Sequence, residues 1–204
     1  LSSITIRDAR AADVEAIATN HRATHAEHRA RIDGYDDAPW DEQITGHLTD
    51  PSQNPHGFTV LVAELGGHFA GHIALHPFEH NKAGPVSHIS DISVRAGDRG
   101  YGVGRSLVAA AEGRVAQQGG HGVVALIWPG NTISRAFFTT MGYATQLDKK
   151  ERHVVAYKDL RDMPAPSNID RFALIGAMCF LAFIVAALSF GWFSGGDLPS
   201  YFPR

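Results

Sequence analysis

Residues 87–112 read SHISDISVRAGDRGYGVGRSLVAAAE, and the reading of this stretch decides the fold. Ile89, Ile92 and Val94 make its first third β-rich, Gly97, Gly100, Gly102 and Gly104 form a glycine run, and the alanine-rich end favours helix. The predicted order is strand, tight loop, helix. Such a loop presents several backbone N–H groups at a helix start, where the macrodipole favours anions. Its glycines let the backbone come close to a phosphate or pyrophosphate.

Spacing separates the loops that bind phosphate. No Gly-Lys-Ser/Thr tripeptide follows the glycines, so this is not a Walker loop, and Leu107 stands where GxGxxG needs its last glycine. The run Arg99-Gly100-Tyr101-Gly102-Val103-Gly104 resembles instead the R/Q-x-x-G-x-G/A signature of the GCN5-related N-acetyltransferases (GNAT family). The resemblance implies a cradle for the pyrophosphate of acetyl-CoA, made by Arg99 and the amides of Gly100, Gly102, Val103, Gly104 and Arg105. A second segment, Asn131 to Tyr143, is similar to the family's N-x-x-A-x-x-x-Y-x-x-x-G-F run, with Ser134 for the alanine and Phe138 for the tyrosine. It implies that Asn131 and Phe138 lie against the cofactor.

Working outward, residues 4–7 alternate as a strand and 8–31 read as a long helix; Ile4-x-Ile6-Arg7 and Asp13-Val14-x-Ala16-Ile17 resemble the first strand and helix of the same family. Residues 40–48 read as a short helix between loops, and 58–65 with 69–75 as a hairpin turning at Gly66-Gly67. Residues 123–128 form an uninterrupted apolar strand, 131–140 a helix, and 143–147 with 152–158 a closing hairpin. The resemblance therefore covers residues 3–158. It implies an α/β (α+β) fold, a mixed twisted sheet of six to seven strands flanked by about four helices. The sheet is expected to splay between strands 88–94 and 123–128 and to hold the pantetheine arm there.

The chain has 204 residues, room for one domain and something extra, and a formal charge of -3. No basic cluster is present, which excludes a general nucleic-acid binder. The single cysteine, Cys179, has no internal disulfide partner, and Leu1 in place of methionine leaves processing, truncation and an unusual start open. Residues 172–193 carry no charge over 22 positions, about 33 Å as a helix, enough to cross a bilayer core. The expected division is a GNAT-like domain 1–160, a linker 161–170, a transmembrane helix 171–193 and a short outer tail 194–204. Basic residues lie mostly before the span, so the large domain is expected on the cytoplasmic side of a cell inner membrane. Small residues at four-residue spacing, such as Ala173 with Ala177, would allow partner helices to pack closely.

Acetyl transfer to an amine needs a neutral nucleophile, a polarised thioester carbonyl and a proton for the departing thiolate. The resemblance assigns the carbonyl to backbone amides near Ile92, Ser93 and Val94. Two residues are candidate bases. His88 lies eleven positions before Arg99, and an unperturbed histidine suits proton removal near neutrality; Asp91 is a carboxylate whose pKa burial would have to raise. Phe138 has no proton to give, leaving Tyr101 or Tyr143 as substitutes. Tyr35, Asp36, Asp37 and Trp40 are expected to border the acceptor. His21, His25 and His28 share a helix face at metal-compatible spacing, but no carboxylate or cysteine pattern completes a site, and no metal is expected. His72, His76 and His80 on a strand are too far apart for one ion. The expected function is a membrane-anchored, acetyl-CoA-dependent N-acetyltransferase acting on a primary amine. The alternative is a weakly active or inactive accessory subunit of a membrane protein complex.

Overall fold

The computed structural model describes residues 3–54, 57–80, 84–148 and 152–161. The expected membrane span, linker and outer tail lie outside these residues. Among the described residues no helix is long and apolar enough to cross a membrane.

Among the described residues seven strands form one sheet: β1 (Ile4–Asp8), β2 (Thr59–Leu65), β3 (His68–His80), β4 (Gly84–Val94), β5 (Gly122–Ile127), β6 (Ala144–Leu147) and β7 (Val154–Asp159). Their spatial order is β1-β2-β3-β4-β5-β7-β6, antiparallel throughout except for the parallel pair β4–β5. Among the described residues four α-helices accompany them, α1 (Val14–Arg31), α2 (Asp41–Thr49), α3 (Val103–Gln117) and α4 (Thr132–Thr140). The mixed sheet and the helix count match the expected architecture.

Burial explains the layers. In β2, Leu61, Ala63 and Leu65 join the large core with Val103, Leu107, Val108 and Ala111 of α3. The intervening Val60 and Val62 face the other way, against Ile17 of α1 and Ile44 of α2. β2 is therefore covered on both faces, which accounts for its nearly unbroken apolar run. The α1 layer is mostly polar. Its buried positions are Ile17, Asn20, His21, Thr24 and His25, the helical i, i+3, i+4, i+7, i+8 face filled with hydrogen-bonding side chains.

Some element bounds differ from the sequence reading. Asp8 closes β1 opposite Leu61, and a short 3-10 turn, Ala11–Asp13, precedes α1. The Arg7 guanidinium grips the Asp13 carboxylate at 2.7 and 2.8 Å, and that carboxylate also accepts the Arg10 N–H at 2.8 Å. β3 and β4 run past the expected ends because each supplies the other's ladder: Pro77 pairs with Ser87 and His76 with His88, polar and proline positions that read as loop in isolation.

Two irregularities shape the site. Ala74 pairs with Asp91 and Leu75 with Ile89, so Ser90 is an extra residue in β4, a bulge that re-aims the side chains beyond it. β4 and β5 pair only from Val86–Gly122 to Ile89–Ala125 and then diverge. This is the splay expected at residues 88–94 and 123–128.

Candidate active site

The gap between the diverging strands exposes backbone that a sheet would otherwise use. The Arg95 N–H bonds to the Ala70 carbonyl on β3 at 2.9 Å. Antiparallel alternation then turns the N–H groups of Ser93 and Asp91 towards β3 and those of Ile92 and Val94 towards the open side. Of the three expected amides, Ile92 and Val94 face the gap. Ser93 does not: its pairing is with His72 of β3, and its hydroxyl is given to Asp91.

At the end of the gap the glycine run meets α3. Gly100 and Gly102 have φ of 85° and 89°, a left-handed backbone that explains glycine at both. No side chain caps α3 at Gly102, and its first hydrogen bond is from the Ser106 N–H to the Gly102 carbonyl. The N–H groups of Val103, Gly104 and Arg105 have no helical acceptor and are left for a ligand. Gly104 packs near Phe137 and Val94. Arg99 is held in place by Glu27 at 2.8 and 3.1 Å and by the Val94 carbonyl at 3.1 Å. Asn131 caps α4, its Oδ1 accepting the Ser134 N–H, and its amide lies 3.5 Å from His28 Nε2. Phe138 lines the groove, edge-on to Phe137 and Tyr143.

Asp91 sits at the junction of gap and helix layer with three partners. His72 Nε2 and His21 Nδ1 lie 2.6 and 3.1 Å from its Oδ2, both bent from the ideal hydrogen-bond line, and the Ser93 hydroxyl donates at 3.2 Å. Burial alone would raise this carboxyl, but its close contacts with His72 and His21 outweigh it and hold Asp91 far below the usual carboxylate range. Asp91 is thus a fixed anion, the reverse of the raised pKa a base at this position needs.

The same three residues form a cluster with metal-like spacing. Their hydrogen bonds argue for another use. His21 Nε2 accepts the Trp40 N–H at 3.2 Å, which leaves its proton on Nδ1; Asn20, oriented by its bond to the Ser93 carbonyl, approaches His72 Nδ1 at 3.4 Å and leaves that proton on Nε2. Both nitrogens facing Asp91 carry hydrogens, whereas a metal needs lone pairs there. The donor set fits a carboxylate cradle.

His88 is not among the groove residues. Its ring packs edge-on to His76 at 4.9 Å, Ser90 Oγ lies 3.4 Å from its Nδ1, and burial, with His76 and His153 adding to it, pushes it well below the usual histidine range. Tyr143 is buried in the core behind Phe138, and Tyr101 is 67 % exposed on the glycine loop. Neither lines the groove.

Sequence reasoning weighed His25 only as a member of a metal-compatible helix face with His21 and His28. His25 lines the groove with His28, Tyr35, Asp37, Trp40 and Trp128. Its Nδ1 shares a 2.9 Å hydrogen bond with the Tyr35 hydroxyl, and its Nε2 has no partner among the described residues. Burial, reinforced by His21, lowers its pKa below the ordinary 6.5, and burial raises that of Tyr35. His25, in the groove lining, is therefore neutral at pH 7. The i, i+4 histidine spacing pointed at this face but suggested a metal rather than a proton acceptor.

Comparison with known proteins agrees with this geometry. The profile of the Acetyltransferase (GNAT) family matches residues 16–143. The PaiA N-acetyltransferase from Thermoplasma acidophilum in complex with coenzyme A superposes with a TM-score of 0.62 at 15 % identity, over 77 % of this chain and 99 % of that one. The YncA protein from Salmonella typhimurium with acetyl-CoA gives 0.59 at 20 %, over 81 % and 99 %, and a GCN5-related N-acetyltransferase from Kribbella flavida gives 0.59 at 22 %, over 76 % and 97 %. No curated protein sequence matches. With the family profile spanning well over half of its length, from α1 to the turn after α4, the chain belongs to the acetyltransferase (GNAT) family.

Proposed function

We propose that this chain, an N-acetyltransferase by family with acetyl-CoA as its cosubstrate, acetylates a primary amine while held at a membrane by residues 172–193. The observation that carries the cofactor reading is the gap between β4 and β5, which leads to the uncapped start of α3 with left-handed Gly100 and Gly102 beside it. Val103, Gly104 and Arg105 supply amides to the pyrophosphate, and Ile92 and Val94 offer theirs to the pantetheine arm and the thioester carbonyl.

The acceptor enters from the α1–α2 side as an ammonium and attacks after losing one proton to solvent. As the new C–N bond forms, the remaining amine protons become acidic and His25 Nε2 takes one. The tetrahedral centre then collapses, the C–S bond breaks, and coenzyme A leaves as a thiolate. With phenylalanine at position 138, the thiolate draws its proton from water, a tolerable route for a leaving group with a thiol pKa of about 8.5. The positive-inside arrangement of basic residues supports a domain on the cytoplasmic face of a cell inner membrane.

Titrating coenzyme A into the full chain in mild detergent tests the cofactor reading by calorimetry. Micromolar binding is expected, and no heat at millimolar ligand overturns it. The second reading, an accessory subunit with little catalysis, is favoured by Phe138, a side chain without a proton to donate at the groove wall. Binding of acetyl-CoA without turnover of any amine, together with copurification of a stoichiometric partner, would support that reading.

A further inference from the structure

The acceptor half of the groove has a consistent chemistry. Two carboxylates, Asp37 and Asp91, stand in its lining with the aromatic rings of Tyr35, Trp40 and Trp128, and no lysine or arginine is among the lining residues. Tyr35 and Trp128 lie 5.3 Å apart between ring centres, and the Trp128 indole N–H donates to Asp37 Oδ2 at 2.9 Å, so ring and carboxylate are held as one unit. Asp37 Oδ1 has no partner among the described residues. Of the nearby cations, Arg99 is paired with Glu27, and Arg29, which is exposed and outside the lining, reaches the Asp37 backbone carbonyl at 3.3 Å rather than its carboxylate.

Resting on the acetyl-CoA reading of the same groove, we infer that the acceptor is a small cationic amine carried on an aromatic or alkyl body, with no carboxylate or phosphate beside the amine. An ammonium is attracted by Asp37 and Asp91 and by the faces of the aromatic rings. The apolar body packs on Tyr35, Trp40 and Trp128. A carboxylate next to the amine would lie close to two anions without a cationic partner, which is the repulsive element that gives selectivity. His25 and His28 do not supply that partner, since burial keeps both below the ordinary histidine pKa and uncharged at pH 7.

The test is a matched set of amines with acetyl-CoA and the full chain in mild detergent, following release of the coenzyme A thiol. 2-Phenylethylamine and L-phenylalanine differ only in the carboxylate, and ethylamine lacks the ring. The expected kcat/KM for 2-phenylethylamine is at least about tenfold above that of either of the others. Asp37→Arg, an exposed position, is expected to shift the preference by at least about tenfold towards phenylalanine. Equal or better use of phenylalanine by the native chain overturns the charge assignment, and equal use of ethylamine overturns the apolar one. Calorimetry with coenzyme A is run on the same samples. Binding without the expected preference overturns the acceptor inference alone, whereas no binding overturns it together with the reading on which it rests.

Discussion

His25 and Asp91 carry opposite pKa logic in adjacent positions. For His25 the folded pKa lies below the unfolded value of about 6.5. Its neutral form is favoured by the fold, so that contribution is complete above about pH 6.5 and is lost as pH falls through the depressed folded value. The acid limb of kcat/KM is expected to have its midpoint below 6.5. His25→Gln is expected to lose about a hundredfold in kcat/KM and to flatten that limb, measured by steady-state rates from pH 5 to 9. An unchanged limb in the variant would remove His25 as the proton acceptor. Asp91 has a folded pKa far below its unfolded one, so its contribution is complete above about pH 4 and is lost as pH falls further. Asp91→Asn leaves two imidazoles facing an amide and is expected to cost about 3 kcal/mol, read by denaturant unfolding at pH 7. A loss under about 0.5 kcal/mol would mean that the cradle does not hold α1 to the sheet.

Among the elements, the glycine loop and the start of α3 were legible because their requirements are local. Gly102 needs φ of 89°, and Gly102→Ala is expected to cost about 1 kcal/mol and to weaken coenzyme A binding by at least about tenfold through the displaced helix start. Gly104 has no such backbone demand, and an added Cβ would meet Phe137 and Val94 at an ordinary 3.6 Å. Gly104→Ala is therefore expected to bind coenzyme A within about twofold of the native chain. Calorimetry on the two variants separates backbone geometry from glycine content. Helix α1 shows why other elements were less legible. Its buried face is Asn20, His21, Thr24 and His25, residue types that normally mark the solvated side, so periodicity alone concealed which side met the sheet. The long β3–β4 ladder was concealed in the same way, since Pro77 and the polar residues near it become strand only through their partners.

At the scale of the molecule, one sheet has a large apolar core under α3 on one face and a smaller apolar cluster beside the polar buried face of α1 on the other, and the β4–β5 gap opens into a groove lined from α1 and α4. The membrane proposal belongs to this scale as well. The full chain is expected to stay in the membrane pellet after an alkaline carbonate wash, and release into the supernatant would remove the spanning helix. From the linear chain alone came the strand-loop-helix around residues 99–104, the Asn131 segment, the family resemblance and the strand pair that would part. Those signals are short-range, written in glycine positions and in apolar period, and they survive without knowledge of what packs against them. Only the tertiary structure decided that Asp91 is a held anion rather than a base, that His88 lies off the groove, and that His25 lines it. The reason is physical: pKa and accessibility depend on the neighbours that α1, β3 and β4 bring together from distant parts of the chain, and a buried polar face has no sequence pattern that distinguishes it from a solvated one.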